Sequence, residues 1–379
     1  MRKILYGARL FDGERMLDDH ALVIEGDRIV ALTPLSERPH GSETFDLGGG
    51  ILAPGLIDWQ VNGGGGIMFN ATPSVEGIRA VVEAHRKDGT TSLLPTVVTG
   101  APETLAAALA AARQAHESVP GALGIHVEGP FIDVRRKGAH PAEMIRAMTE
   151  ADADALIAAK SGVMVVTVAP VAVSNALITR LAAAGVIVSI GHAEATTEEA
   201  EAAFAAGAVT VTHLFNAMSQ IGHRSPGLAG AALANPAIFC GLIADGHHVH
   251  AAASRAAFHA KGPDRLSLVS DAMPAAAGGP SVFYLEGRRV TQSGTKLALD
   301  DGTLAGAAIT LMDAVRYAIR TLGVSLPDAL KMATLTPARL LRVDGSIGRL
   351  QRGLRADLVH VDKDLNVRET WIGGASSLG

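Results

Sequence analysis

The sequence predicts an α/β protein, a TIM-type (β/α)8 barrel that interrupts a small β-sandwich formed by the two chain ends. Two observations lead there. Between residues 53 and 345, short runs rich in β-branched residues alternate eight times with alanine-rich helical stretches, and a barrel of this kind ordinarily takes about 250 residues. Residues 1–52 and 346–379 instead show short polar and apolar runs with turn chemistry and no helical period, as in "ALVIEGDRIVAL" and "GLRADLVHVDKDLNVRETWIGG". The two ends are expected to pack together as one small domain, with residues 53–345 as the barrel.

The expected barrel strands are residues 53–58, 91–95, 123–128, 163–168, 186–190, 209–213, 239–244 and 265–270. Helical patterns fall between them, at 74–88, 101–118, 174–185 and 196–207, each opening on Ser, Thr or Pro or closing near Gly. A doubly wound open sheet is the alternative. It would want G-x-G-x-x-G after an early strand, whereas "NGGGG" after Val61 has the wrong spacing and no helix close behind. Residues 281–303, "SVFYLEGRRVTQSGTKLALDDGT", read as a β-hairpin inserted after the eighth strand.

Of the 379 residues, 48% are hydrophobic and 19% charged, the balance of a compact chain. A formal charge of −5 offers no basic footprint for nucleic acid or an anionic membrane surface. The single cysteine, Cys240, lies in the apolar run "AIFCGLIAD", which makes it a core thiol and excludes an internal disulfide or a Cys-rich zinc site. The opening "MRKILYGARLFDGERM" is broken by charge too early for a signal peptide, so a cytoplasmic location is expected.

Catalytic groups of such a barrel project from the C-terminal ends of its strands. Glu128 ends the third strand, His192 follows the fifth, His213 ends the sixth and Asp271 follows the eighth. A carboxylate and two imidazoles suit a catalytic divalent metal such as Zn²⁺ with a position left for water. Asp271 is then placed to carry protons. His140, in "RRKGAHP", lies on a loop that can reach the same mouth, and "DGHHVH" offers His247, His248 and His250, one of which can point inward. His126 shares the face of Glu128 and is read as packing, with ligation in reserve. His85, His116 and His259 on helical faces, and His20, His40 and His360 in the terminal segments, are read as solvated or packing residues.

The motifs "HVEGPFI", "KGAHP", "SIGHAEAT", "THLFNAMSQIGHRSPGLAG", "GLIADGHHVH", "LVSDAMPAAAGG" and "GTLAGAAITL" resemble, in order and over nearly the whole chain, the N-acetylglucosamine-6-phosphate deacetylases of the amidohydrolase superfamily. The resemblance implies hydrolysis of an N-acetyl group to give glucosamine 6-phosphate and acetate. It makes Glu128, His192 and His213 the metal ligands, Asp271 the catalytic acid and base, and His140 the holder of the acetyl oxygen. Ala139 would touch the sugar, Asn216 and Ala217 would cradle its phosphate, and Arg224 and His248 would add polar contacts. The family supplies that arginine across a subunit boundary, implying a homodimer, and Leu304, Ala305 and Gly306 match a loop that closes over substrate. Where many amidohydrolases carry His-x-His, this chain has Gln60 and Asn62. That departure implies one divalent metal per subunit, Zn²⁺ or else Fe²⁺, Co²⁺ or Mn²⁺. Two competing functions are another amidohydrolase reaction, such as nucleobase deamination or cyclic amide opening, and an inert scaffold without metal. A phosphate cradle counts against the first, since a neutral heterocycle has no use for it.

Overall fold

The structure, a computed structural model, describes residues 2–39 and 43–378; His40 lies outside the described residues. Eight parallel strands form one sheet: β1 (Leu56–Val61), β2 (Thr90–Val98), β3 (Gly124–Glu128), β4 (Val163–Val168), β5 (Ile187–Ile190), β6 (Thr210–Val211), β7 (Phe239–Ile243) and β8 (Leu266–Val269). Each is hydrogen-bonded to its sequence neighbour, in the order β8 to β1. The two ends of the sheet meet through the segments beyond them. Asp271 N donates to Gln60 O at 3.0 Å and Asn62 N to Ala272 O at 2.8 Å, curling the sheet into the expected barrel.

The strands form where they do because their residues are buried on both faces. All four residues of β5 and all four of β8 are buried, which favours the near-continuous apolar runs seen there in the sequence. Most of the intervening helices start on side-chain caps. Ser74 accepts from Gly77 N ahead of helix Val75–Arg86, and Thr196 and Glu199 form a reciprocal capping box ahead of Thr197–Ala205. Cys240 is fully buried in β7, and burial pushes its thiol up to about 12, so it stays an inert core group.

The chain ends contribute two further sheets. One has four strands in the order Arg28–Pro34, His20–Glu25, Arg2–Tyr6, Glu43–Asp46. The other has six and joins Arg9–Phe11 and Ile51–Pro54 from the beginning of the chain to Leu358–Val361 and Val367–Ile372 from its end. Leu5, Leu22 and Ile24 of the first share an apolar cluster with Leu10, Leu52, Leu358 and Trp371 of the second. The expected first barrel strand, 53–58, needs correcting. Ala53 and Pro54 pair with Val359 and Leu358 in the six-stranded sheet, and the barrel strand starts at Leu56, past Gly55. Both pieces are apolar and adjacent, so periodicity did not separate them.

The inserted segment is more than a hairpin. It is a four-stranded antiparallel sheet of Val282–Leu285, Arg288–Ser293, Lys296–Leu299 and Leu304–Ala307, with its own apolar cluster around Phe283, Val290 and Leu297. Its last strand carries Leu304, Ala305 and Gly306, so these residues sit on a strand and not on the expected loop. Gly306 has φ 63°, and a Cβ there would come within 2.8 Å of the Asp271 carbonyl, so the sheet can approach the barrel rim this closely only with glycine. Among the described residues no helix is long and apolar enough to cross a membrane.

Candidate active site

Glu128 is the last residue of β3. His192, His213 and Asp271 each stand two residues past their strands, which end at Ile190, Val211 and Val269. All three take the left-handed backbone, with φ of 47°, 32° and 50°. That conformation costs a non-glycine residue roughly 1–2 kcal/mol, and three of them on one rim mark a place where the fold stores strain to aim side chains.

The aimed groups meet. Glu128 Oε1 lies 3.0 Å from His213 Nε2 and 3.2 Å from His192 Nε2, and the two imidazole nitrogens are 3.0 Å apart. His192 Nδ1 donates to the Arg136 carbonyl at 2.8 Å, which leaves its Nε2 with the lone pair a cation needs. Burial pushes Glu128 up, but the hydrogen bonds and charges of His192 and His213 outweigh it and hold the carboxyl well below its usual range. One ionised oxygen and two imidazole nitrogens converging in a buried site fit a divalent cation. Glu128, His192 and His140 form an overlapping group within 4.8 Å. His213 closes the tighter trio, since its Nε2 lies 3.0 Å from both Glu128 Oε1 and His192 Nε2.

Asp271 stands beside this trio. Its Oδ1 accepts from Asn62 Nδ2 at 2.7 Å and from Gln60 Nε2 at 3.1 Å. Gln60 Nε2 also reaches both oxygens of Glu128, at 3.3 and 3.2 Å. The pair standing in place of His-x-His is therefore a set of amide donors to carboxylates. Burial, and then the charge of Glu128, raise Asp271 to about 6, a value suited to a group that takes and gives a proton near neutrality. Burial, and then the neighbouring His192, push His140 down to about 3, so it is a neutral imidazole.

These groups line a cavity of about 430 Å³. Ala139, Asn216, Ala217 and His248 border it, as do Leu304, Ala305 and Gly306 from the inserted sheet. Arg224 does not: it is exposed and lies off the cavity of its own chain. His126 is no ligand in reserve, because its ring nitrogens meet Thr167 Oγ1 at 2.7 Å and Thr96 Oγ1 at 3.3 Å. Of the "DGHHVH" histidines, His247 bonds Thr295 Oγ1 and His250 caps the helix beginning at Ala251, leaving His248 to face the cavity.

Sequence reasoning missed four supporting residues. Thr99 holds His140, and Asp245 holds His248 Nδ1 at 2.7 Å. Arg136 lines the cavity with its side chain paired to Glu194, and Arg288 of the inserted sheet donates to the Ala139 carbonyl. Asp245 was the most findable, since it precedes His248 by three residues just past an apolar run.

Residues 51–376 match the model of the Amidohydrolase family, and residues 4–52 match that of the NagA composite domain. The chain is 41% identical over 340 residues to the N-acetylgalactosamine-6-phosphate deacetylase of Shewanella sp. (strain ANA-3), covering 89% of this chain and 85% of that protein. It is 35% identical to the N-acetylglucosamine-6-phosphate deacetylase of Haemophilus influenzae, over 99% of both. A crystal structure of N-acetylglucosamine-6-phosphate deacetylase from Pasteurella multocida superposes with a TM-score of 0.97 at 35% identity, covering 100% of each chain.

Proposed function

The chain belongs to the amidohydrolase family, and from that premise we propose that it hydrolyses the N-acetyl group of N-acetylglucosamine 6-phosphate, releasing glucosamine 6-phosphate and acetate. The observation that carries this reading is the convergence of Glu128, His192 and His213 beside Asp271 and His140, inside one cavity.

Glu128 Oε1, His192 Nε2 and His213 Nε2 would hold one divalent metal; Zn²⁺ suits the set, and Fe²⁺, Co²⁺ or Mn²⁺ could take the same ligands. When bound, such an ion supplies a Lewis acid and makes hydroxide available near neutral pH. Asp271 takes a proton from the attacking water and delivers it to the amide nitrogen, so that nitrogen departs as a neutral amine. The Thr99 hydroxyl can donate to His140 Nδ1, which puts the ring's own N–H on Nε2, where it donates to the oxygen of the tetrahedral intermediate. A neutral imidazole does this without losing its proton. Asn216, Ala217 and His248 lie at the cavity wall, where backbone and side-chain donors suit the phosphate end of the substrate. Because Arg224 lies off its own cavity, we assign it to the cavity of a partner in a homodimer. The single buried cysteine is in keeping with a cytoplasmic site of action.

The test is acetate release from purified protein with its metal identified by elemental analysis. N-acetylglucosamine 6-phosphate should turn over, a chelator should stop it, and the unphosphorylated sugar should be a poor substrate. The 41% identity to a galactosamine-series deacetylase favours a second reading, in which the 4-epimer is preferred. N-acetylgalactosamine 6-phosphate therefore belongs in the same assay, and the larger kcat/KM decides between the two. No acetate from either sugar, despite stoichiometric metal, would overturn the proposal.

A further inference from the structure

Gln60 and Asn62 are buried, at 0% and 2% exposure, and they share one face of β1 and its extension, facing Asp271. Their backbones are pinned to the segment that carries Asp271. Asp271 N donates to Gln60 O at 3.0 Å, and Asn62 N and Gly63 N both donate to Ala272 O, at 2.8 and 2.9 Å. Both side-chain amides present N–H to Asp271 Oδ1, while Gln60 Oε1 and Asn62 Oδ1 have no partner among the described residues. An amide turned the other way would set its oxygen against a carboxylate oxygen, so the donors settle the orientation.

We propose that Gln60 and Asn62 are positioning residues that grip Asp271 by Oδ1 and thereby assign the proton-carrying work to Oδ2. This rests on the reaction proposed above. An oxygen already accepting two amide N–H groups has neither the lone pair nor the approach for a third partner, so the water's proton goes to Oδ2 as the new C–O bond forms. The same proton then passes from Oδ2 to the amide nitrogen as the C–N bond breaks, the bonding pair going to nitrogen. Gln60 does a second thing. Its Nε2 lies within 3.3 Å of both Glu128 oxygens as well as Asp271 Oδ1, so the two hydrogens of one NH2 group are shared between the two carboxylates and offset their repulsion. The position that holds a ligand pair in His-x-His relatives is thus reused to orient the acid and base.

The test is steady-state kinetics on N-acetylglucosamine 6-phosphate with Asn62→Leu and Gln60→Met, which keep side-chain size and remove the donors. Each should lower kcat about 10- to 100-fold, the penalty of a reacting group misplaced by about an ångström, with KM changed less than about threefold. Metal per chain, measured by elemental analysis, should match the parent protein. In an Asp271→Asn background, Asn62→Leu should cost less than about twofold more, because residues acting through one another are not additive. Wild-type kcat in both variants, a full second loss in that background, or loss of metal would each overturn the inference. Wild-type turnover by Asp271→Asn itself would instead sink the proposed reaction.

Discussion

Asp245 Oδ2 accepts a hydrogen bond from His248 Nδ1 at 2.7 Å, while Asp245 Oδ1 takes the backbone N–H groups of His247 and His248 at 2.8 and 2.9 Å. Burial alone would raise this carboxyl, but the His248 hydrogen bond and charge, with those backbone donors, bring it below the usual range. An ionised Asp245 therefore fixes the ring plane and leaves Nε2 for the cavity. If His248 touches the phosphorylated sugar as proposed, Asp245→Ala should raise KM about tenfold, the worth of one charge-assisted hydrogen bond, and leave kcat within about twofold. A matching fall in kcat at unchanged KM would show that the pair serves the chemistry and not binding.

Asp271 carries a pH signature. Burial and the Glu128 charge raise it to about 6, and it can accept a proton only when ionised. Turnover should therefore fall about tenfold per pH unit on an acid limb, and a cation held by Glu128, His192 and His213 would move that limb below 6 by favouring the ionised form. Asp271→Asn should lose about 10²- to 10⁴-fold in kcat with fold and metal content intact. The profile of kcat/KM against pH, taken for both proteins, checks this: an acid limb that persists in Asp271→Asn belongs to another group.

His140 is neutral across the working pH range, since burial and then His192 push it down to about 3. Its contribution as a donor should be independent of pH. His140→Ala should reduce kcat about 10²- to 10³-fold, the scale for removing one oxyanion donor. Thr99→Val, which frees Nδ1 and lets the ring take the other tautomer, should have a smaller effect in the same direction. Single-turnover rates for the two variants provide the measurement, and Thr99→Val more damaged than His140→Ala would contradict the order of roles.

The barrel was legible because each of its strands is buried on both faces, which forces continuous apolar runs such as "VMVVTV" at Val163–Val168. Glu128, His192, His213 and Asp271 stood out as the polar residues that end such runs. The long-range supports did not. Thr99 holds His140, and the amides of Gln60 and Asn62 hold Asp271, at distances of 2.7 to 3.1 Å between residues 41 to 211 apart in sequence, and no local pattern encodes such a pairing. Arg224 was legible only through resemblance, and its own chain leaves it in solvent. The strand at Ile51–Pro54 was misassigned because it continues into β1 with only Gly55 between them.

Asp58 is fully buried and does not line the cavity. It has 0% exposure; Oδ1 accepts from Gln60 N and Ser270 N, each at 3.3 Å, and Oδ2 has no partner among the described residues. Burial raises it from the usual 3.8 to about 7, against the smaller downward pull of its hydrogen bonds with Ser270 and Gln60. Between those two values the folded protein keeps a proton that the unfolded chain has released, so stability falls as pH rises through this window and levels off above about 7. A shift of about three units corresponds to roughly 4 kcal/mol. Asp58→Asn cannot titrate, and its amide oxygen can still accept from Gln60 N and Ser270 N. Relative to the parent protein, the variant should therefore gain stability steadily from pH 4 to pH 7, by up to that amount. Urea unfolding of both proteins at several pH values, subtracted pairwise so that every other titrating group cancels, measures the difference; a value that does not change with pH would mean that Asp58 enters the barrel already ionised.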